Sequence, residues 1–500
     1  MLRFQGGRVK ADSPLNLMIA IQLPLVKHRL LDNFYVLFYY QFSMAEQNKL
    51  EKVVALCKRR GFVFPSSEIY GGFAATYDFG PLGFLLKKNI EKVWRKWNVE
   101  SRDDMVEIEG AIFMHPKTWE ASGHVGGFAD LLVEDTKTHK RYRADYIIEE
   151  AKIMENAGTL SPKEIDGLIQ KHNIKSPDGN PLSSAKKFNL LVKTHLGPVE
   201  DETTVAYLKG ESCQNIYLDY KSVVDSTRIK FPFGIAQIGK AFRNEITVKS
   251  FLFRTREFEQ MDIEYFCRPE DADNYYDEWK KSHRDFCEKM LGLSPDRLKL
   301  RQHEEDERAF YAKDAWDIQY EFGTMGFQEI EGIHNRGTYD LDQHSKFSGQ
   351  DLQYTDQESG EKFTPAIVEC SAGFNRLFLA SLFEAYEEDG DRIVLKLPAR
   401  LAPYKVAVFP LLKNKPELVE KAREVYNELK KHFNVAWDDR GNIGKRYFSQ
   451  DEIGTPYCVT IDFDTLEKEG DIVTIRDRDT MKQERIAISD LKEYIQKSLE

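Results

Sequence analysis

The most constraining feature of this 500-residue chain lies near its middle. Ala241-Phe242-Arg243-Asn244-Glu245 is followed by a loop and then by Phe253-Arg254-Thr255-Arg256-Glu257-Phe258-Glu259-Gln260-Met261-Asp262-Ile263-Glu264-Tyr265. Read as a strand over 256–264, the second stretch places Arg256, Phe258, Gln260, Asp262 and Glu264 on one face, because strand side chains alternate with a period of two. That face carries a guanidinium, an aromatic plate, an amide and two carboxylates in a row. A buried ion is costly unless it is paired. Such a line is therefore either a solvated outer face laced with cross-strand ion pairs or a surface that meets a charged ligand. Around it, residues 205–266 alternate polar and apolar over long stretches, as antiparallel strands do when one face is wet.

The surrounding pattern mixes both kinds of element. Glu46–Arg60 sets Leu50, Val53, Val54 and Cys57 at helical spacing. Tyr77-Asp78-Phe79-Gly80-Pro81-Leu82-Gly83 is a turn leading into a helix over Phe84–Trp97, and Pro81 suits a first-turn position, where its missing N–H costs nothing. Residues 149–186 are polar, helical in pattern and then turn-rich, as in a lobe inserted between strands. Residues 270–310 return to helix and 316–335 to strand. The two prolines of 396–403 mark a linker. Beyond it, strands over 405–409, 457–463 and 472–476 and helices over 416–433 and 491–498 make a compact α/β unit; the first of those helices has a one-sided apolar stripe.

Charge and cysteines narrow the function. The net charge of −11 excludes a protein that coats DNA without sequence preference, but local basic patches can still bind RNA over a Debye length of about 8 Å. Six cysteines never form a Cys-x-x-Cys pair, which excludes zinc ribbons and a disulfide scaffold and suits a reducing cytosol. The apolar runs Leu15–Val26 and Leu31–Phe42 are too short to span a membrane, and no clean signal-cleavage site follows them. The change of character at Met44 predicts a native start there, with 1–43 as upstream sequence; a targeting or weakly membrane-associating extension is the alternative. Gly234-Ile235-Ala236-Gln237-Ile238-Gly239-Lys240-Ala241 nearly matches a phosphate-binding loop, but Ala241 replaces the Mg²⁺-holding Ser or Thr and strand patterning follows.

Phe242-Arg243-Asn244-Glu245, the loop and Arg254-x-x-x-Phe258 together resemble motif 2 of the class II aminoacyl-tRNA synthetases. Ile367-Val368-Glu369-Cys370-Ser371-Ala372-Gly373-Phe374-Asn375-Arg376-Leu377 resembles motif 3, and residues 77–97 resemble motif 1. Pro232–Met261, Tyr77–Gly83, Trp119-Glu120-Ala121-Ser122-Gly123-His124-Val125 and Arg143-Ala144-Asp145 are similar to the dimeric glycyl-tRNA synthetases in particular. The likeness spans roughly residues 50–495, more weakly in the insert. It implies an α+β fold: a class II antiparallel sheet with flanking helices over 44–395, then an α/β anticodon-binding domain over 402–500. It further implies a cytoplasmic homodimer, joined through motif 1, that acts on glycine, ATP and tRNA(Gly) and touches neither DNA nor membrane.

The resemblance also implies roles. Arg243 would hold the α-phosphate, Arg254 and Arg376 the γ-phosphate, and Phe258 would stack on adenine. Asn244, Glu245, Phe253, Thr255, Arg256 and Glu257, with Ile330, Gly373, Phe374 and Asn375, would complete the ATP site. Guanidinium forks suit phosphoryl oxygens because they stay charged and bond in pairs. Glu329 would bind Mg²⁺ with ATP, with Glu331 as rival or partner. For glycine, Arg143 would take the carboxylate, while Glu211, Phe258, Glu259, Gln260, Met261 and Asp262 on one side and Glu369, Cys370, Ser371, Ala372 and Gly373 on the other would form the acidic pocket. Alternation favours Asp262 over Glu259 for direct contact. Lys209-Gly210-Glu211-Ser212-Cys213-Gln214-Asn215 departs from the family's Arg-Pro-Glu-Thr-Ala-Gln-Gly, and Tyr146, Asp262 and Cys370 stand where His, Glu and Pro are common. Arg440-Gly441-Asn442-Ile443-Gly444-Lys445-Arg446-Tyr447 resembles part of the family's anticodon-binding domain, and a basic loop with Tyr447 beside it suits single-stranded RNA, whose bases can stack on rings. A class II synthetase for another small amino acid and a noncatalytic synthetase-like RNA-binding protein are the rival readings.

Overall fold

The computed structural model describes residues 49–499 apart from 155–156, 247–250, 306, 310 and 468–470; the expectations for 1–43 and for Met44 lie outside the described residues. At the centre is a seven-stranded sheet. In chain order its strands are β1 Met105–Ile108, β2 Phe233–Phe242, β3 Glu257–Cys267, β4 Leu298–Gln302, β5 Asp314–Glu321, β6 Phe327–Gly337 and β7 Ala366–Gly373. Their spatial order is β4-β5-β6-β7-β3-β2-β1. Neighbours are antiparallel except β1, which runs parallel to β2. The glycine-bearing run 234–241 is therefore extended strand within β2, not a phosphate cradle.

One face of the sheet is dry. Met261, Ile263, Ile333, Cys370 and Ala372 pack there against Leu86, Ile90 and Trp94 of the helix Pro81–Arg95, Trp279 and Phe286 of Ala272–Lys289, and the nearly all-apolar helix Phe374–Ala385. On the other face Phe233, Ile235, Phe266 and Ile367 are covered by the helix Cys213–Ser226 and by Leu341 of the helix Tyr339–Ser348. That cover stops short of the β3 and β7 ends that carry Gln260 and Ser371, and an open cleft lies there.

The helix Cys213–Ser226 interrupts what alternation alone predicts as strand. Its buried residues, Cys213, Ile216, Tyr217, Tyr220 and Val223, follow helical spacing, but the flanking true strands make the window read with a period of two. The polar lobe is also larger than 149–186. Strands Arg141–Arg143, Ala129–Glu134 and Lys186–Asn189 form its sheet, the helix Pro162–His172 starts in a Ser161–Glu164 capping box, and Val133, Ile147, Ile148 and Ile165 give it a core of its own.

The C-terminal unit is a five-stranded sheet in the order Val435–Trp437, Val406–Pro410, Tyr457–Ile461, Ile472–Asp477, Gln483–Ala487. The helix Pro416–Lys430 buries Leu418, Ala422, Val425 and Leu429 against it. The linker before it is held through its carbonyls from residues on either side of it in the chain. Lys405 donates to the carbonyls of Ala399, Arg400 and Ala402 at 2.7–3.0 Å, and the Asn89 amide donates to those of Leu401 and Ala402. Burial pushes the Lys405 ammonium down to about 7, so three carbonyl acceptors suit it.

Across the junction, the carboxylate of Asp451 accepts from Arg476 at 2.8 and 2.9 Å and from Arg392 of the preceding unit at 2.9 Å, with all three side chains buried. Asp451→Ala would leave two buried guanidiniums without their shared acceptor. We expect a loss of about 3–5 kcal/mol in urea denaturation, against no measurable loss for Arg440→Ala, whose side chain is 87% exposed.

Candidate active site

Strand register sets acidic residues side by side on the wet face. One row across the sheet runs Gly332, Ser371, Asp262 and Gln237; the next runs His334, Glu369, Glu264 and Ile235. Ser371 Oγ donates to Asp262 at 2.6 Å and accepts from Gln260 Nε2 at 3.1 Å. Tyr217 donates to Glu264 at 2.7 Å. Glu369 bonds the His334 ring and accepts from Arg336 at 3.0 Å. Arg336 in turn grips Asp340 with two bonds of 2.7 and 2.9 Å and lies 3.8 Å from the Tyr311 ring centroid.

These contacts decide which acids ionise. Burial, with the neighbouring Glu369 charge, pushes the Asp262 and Glu264 carboxyls well above the usual range. Burial works against Glu369 too, but Arg336 and then His334 outweigh it and hold that carboxyl low. Burial likewise opposes ionisation of Glu211, and His124 followed by Arg243 overcomes it. The niche thus presents two anions, Glu211 and Glu369, beside Ser371, above two acids kept protonated.

Next to the niche a second cleft is lined by Arg243, Arg254 and Arg376, with Phe258, Phe253, Glu245, Thr255, Gly373 and Asn375 in its walls. The Arg243 guanidinium stands 5.2 Å from the Phe258 ring centroid and 4.9 Å from that of Phe128. Arg254 is held by Glu245 at 2.8 Å and by the Tyr146 hydroxyl at 2.5 Å. Arg376 lies over Phe253 and pairs with Glu329 at 3.0 Å. A Cβ at Gly373 would sit 3.2 Å from Arg376 Cδ, so glycine there leaves room for the arginine stem. The two clefts share Arg243, Gln260, Glu329 and Ser371.

Several expected residues lie elsewhere. Met261, Cys370, Ala372, Ile330 and Phe374 send their side chains into the apolar core behind the sheet. Asp262 lines neither cleft; it lies fully buried beneath Ser371, whereas Glu259, paired with Lys87, reaches the arginine-lined cleft from the other side of β3. Glu331 is not a partner for Glu329. A β-bulge makes Glu331 oppose Ile318 and Glu329 oppose Gln319, so the two acids face opposite sides and Glu331 is buried against His283. Arg143 does not reach the niche, because Asp145 (2.6 Å) and Asp130 (2.9 Å) hold it in the lobe.

Outside both clefts, Arg256 bonds the carbonyls of Glu245 and Ala74, Glu257 pairs with Lys240, and Asn244 faces solvent. Lys209 reaches the Gly110 carbonyl instead of the niche. Tyr447 is no free base platform: it is buried, bonds Thr460 at 2.6 Å and packs under Arg476. The niche walls His124, Tyr311 and His334, with Arg336 behind them, received no role from the sequence. Alternation running on from Gly332 was the available signal for His334 and Arg336, and the Trp119–Val125 string for His124.

Comparison with known proteins identifies the fold. Residues 198–386 match the model described as tRNA synthetase class II core domain (G, H, P, S and T), and residues 405–498 match the anticodon binding domain. Prolyl-tRNA synthetase from Cryptosporidium parvum shares the fold, with a TM-score of 0.60 at 18% identity over 89% of this chain and 74% of that one. A class II core with an arginine-lined cleft opening into an acidic niche makes this an aminoacyl-tRNA synthetase of class II.

Whole-chain similarity narrows the class. The chain is 48% identical over 454 residues to glycine–tRNA ligase from Borreliella burgdorferi, spanning 89% of this chain and 97% of the relative. It is 48% identical over 453 residues to that from Treponema denticola (88% and 95%), and 46% over 473 residues to that from Clostridium beijerinckii (91% and 100%). The chain belongs to the glycine–tRNA ligase family.

The raised carboxyl of Asp262 has a stability consequence. A folded-state value above the unfolded one contributes stability that is fully present below the unfolded value and is lost as pH rises through the folded one. Asp262→Asn, which keeps an acceptor for Ser371, should raise Tm relative to the parent more at pH 8 than at pH 5. Thermal denaturation at the two pH values checks this.

Proposed function

We propose that the chain activates glycine with ATP, releasing diphosphate, and transfers glycine from the adenylate to the 3′ end of tRNA(Gly). The observation that carries this reading is the convergence of Arg243, Arg254 and Arg376 on one cleft that opens into a niche where Glu211, Glu369 and Ser371 meet. A glycine carboxylate oxygen attacks the α-phosphorus, the bond to diphosphate breaks, and negative charge collects on phosphoryl oxygens. Arg243, at the junction of the clefts, meets that charge at the α-phosphate. Arg254 and Arg376 exchange Glu245, the Tyr146 hydroxyl and Glu329 for the outer phosphates. Phe258 offers the adenine a plate, and Glu211 and Glu369 take the ammonium. No enzyme nucleophile is needed, since positioning and charge stabilisation carry the step. The walls of Tyr311, His124 and His334 would oppose a larger side chain.

The donor set at Glu329 fits Mg²⁺. Its carboxylate projects into both clefts, and a single protein carboxylate shared with phosphate oxygens is how this ion is commonly held. When bound, Mg²⁺ held at Glu329 would neutralise part of the charge on the phosphates. Among the described residues no helix is long and apolar enough to cross a membrane, which is compatible with a cytoplasmic enzyme. The loop between strands Val63–Pro65 and Tyr77–Phe79 exposes Ile69, Tyr70 and Phe73 next to the motif 1 helix, which supports a homodimer. Sedimentation should return twice the 58.1 kDa chain mass.

ATP–diphosphate exchange tests the activity directly. Glycine should drive it, with alanine, serine, threonine and proline far behind; faster exchange with any of these would overturn the glycine assignment. Arg243→Ala should lower exchange by about 10²–10³-fold, the scale of losing one transition-state charge partner, while tRNA affinity stays within about threefold because phosphate contacts elsewhere are untouched.

A further inference from the structure

Ser122, His124 and Glu211 form a hydrogen-bonded file that ends in the amino-acid niche, and the chemistry above uses its last member for charge and the His124 ring only as a wall. Ser122 follows the helix Pro116–Ala121. Gly123 then takes φ +83°, a left-handed conformation that side chains disfavour, and this turn folds His124 back over Ser122. Ser122 Oγ lies 2.8 Å from His124 Nδ1, and His124 Nε2 lies 3.0 Å from Glu211 Oε2. The three side chains are all buried. The imidazole is fixed as a plate, edge-on to Trp119 and Phe128 at 5.3 and 5.2 Å and stacked on Tyr311.

This geometry orders the protons. The serine hydroxyl can donate to Nδ1, which leaves the ring proton on Nε2, and the Nε2–H then donates to the glutamate. Ser122 lines neither cleft, so it has no route to a substrate as a nucleophile. With Oε2 engaged, the remaining oxygen of Glu211, Oε1, faces Arg243 at 3.6 Å. The Cys213 thiol also lies 3.6 Å from Oε2. Without the imidazole, Glu211 would have no strong partner on its inner side, and its carboxylate could turn wholly onto Arg243, taking the group expected at the α-phosphate.

We propose that His124 is a positioning residue for the amino-acid substrate: its Nε2–H, with the tautomer set by Ser122, pins one oxygen of Glu211 so that the other meets the substrate ammonium. The inference rests on the glycine reading above, in which Glu211 is an ammonium acceptor. The Ser-Gly-His order in the sequence is then functional as a unit: an orienting hydroxyl, a residue that can reverse the chain, and the donor.

The test is glycine-dependent ATP–diphosphate exchange with full-length His124→Gln, His124→Ala and Ser122→Ala. His124→Ala should raise the KM for glycine about tenfold, the size of one hydrogen bond to a charged group, with kcat and the KM for ATP within about threefold. His124→Gln, whose amide N–H can replace Nε2–H, should recover the glycine KM to within about threefold of the parent. Ser122→Ala should raise it about threefold at unchanged Tm, the smaller loss of a neutral bond. A normal glycine KM in His124→Ala, an equal rise in the KM for ATP, or a glutamine variant as impaired as alanine would overturn the proposal. If His124→Ala does not fold, a parent-like glycine KM in Ser122→Ala overturns it instead. A parent enzyme without glycine-dependent exchange removes the glycine reading and this proposal together, whereas an active parent beside an unaffected His124→Ala removes this proposal alone.

Discussion

A guanidinium sealed from solvent underlies the whole site. Arg336 lies at the end of β6, bonded twice to Asp340 and once to Glu369, with tyrosine rings of residues 311 and 217 beside it. Without that charge, Glu369 would lose the largest compensation for its burial while standing beside Asp262 and Glu264, two further buried acids. A buried ion pair adds little net stability. What Arg336 supplies is a fixed charge on one acid: it holds Glu369 anionic, and burial together with the Glu369 charge keeps the acids on the neighbouring strand neutral. A site that must hold an ammonium needs both the charge and the restraint on how much charge there is.

The same sheet serves two solvents. In β3 Met261 and Ile263 belong to the apolar core on one side, while Phe258 and Gln260 face the clefts on the other, so catalytic placement and folding stability are written into the same eleven residues. The lobe joins the catalytic sheet electrostatically through Tyr146 and Arg254, and the C-terminal unit joins through Arg392 and Asp451. Both joints are made by arginines, whose planar forks can be held from two sides at once.

Much of this was legible in the chain. Alternation correctly placed Phe258, Gln260, Asp262 and Glu264 on one face, because a long, regular strand leaves no freedom in which side each residue takes. Depth along that face was not legible: Asp262 and Gln260 look alike in sequence, yet only Gln260 meets a cleft, because the helix Cys213–Ser226 covers the rest. Arg143 was misplaced because Asp130, which joins the adjacent Asp145 in holding it, becomes a neighbour only once the lobe's sheet has formed. Tyr447 reads as an exposed ring beside basic residues, but its helix turns it toward Phe409 and Thr460. His124 was passed over because its role depends on Glu211, far along the chain.

The bulge in β6 carries a consequence for how this chain can diverge. Because Glu329 and Glu331 look in opposite directions only by virtue of Ile330, supernumerary between them while their partners Gln319 and Ile318 are consecutive, the strand has a parity that an in-frame deletion of a single codon on either side of Ile330 would reverse. Such a lesion would swing an acid into oil and an isoleucine toward nucleotide without altering any active-site side chain's identity. Substitutions can drift along this segment, but its length is locked, and lineages that lose or gain residues must do so in hairpins such as the one at 351–363.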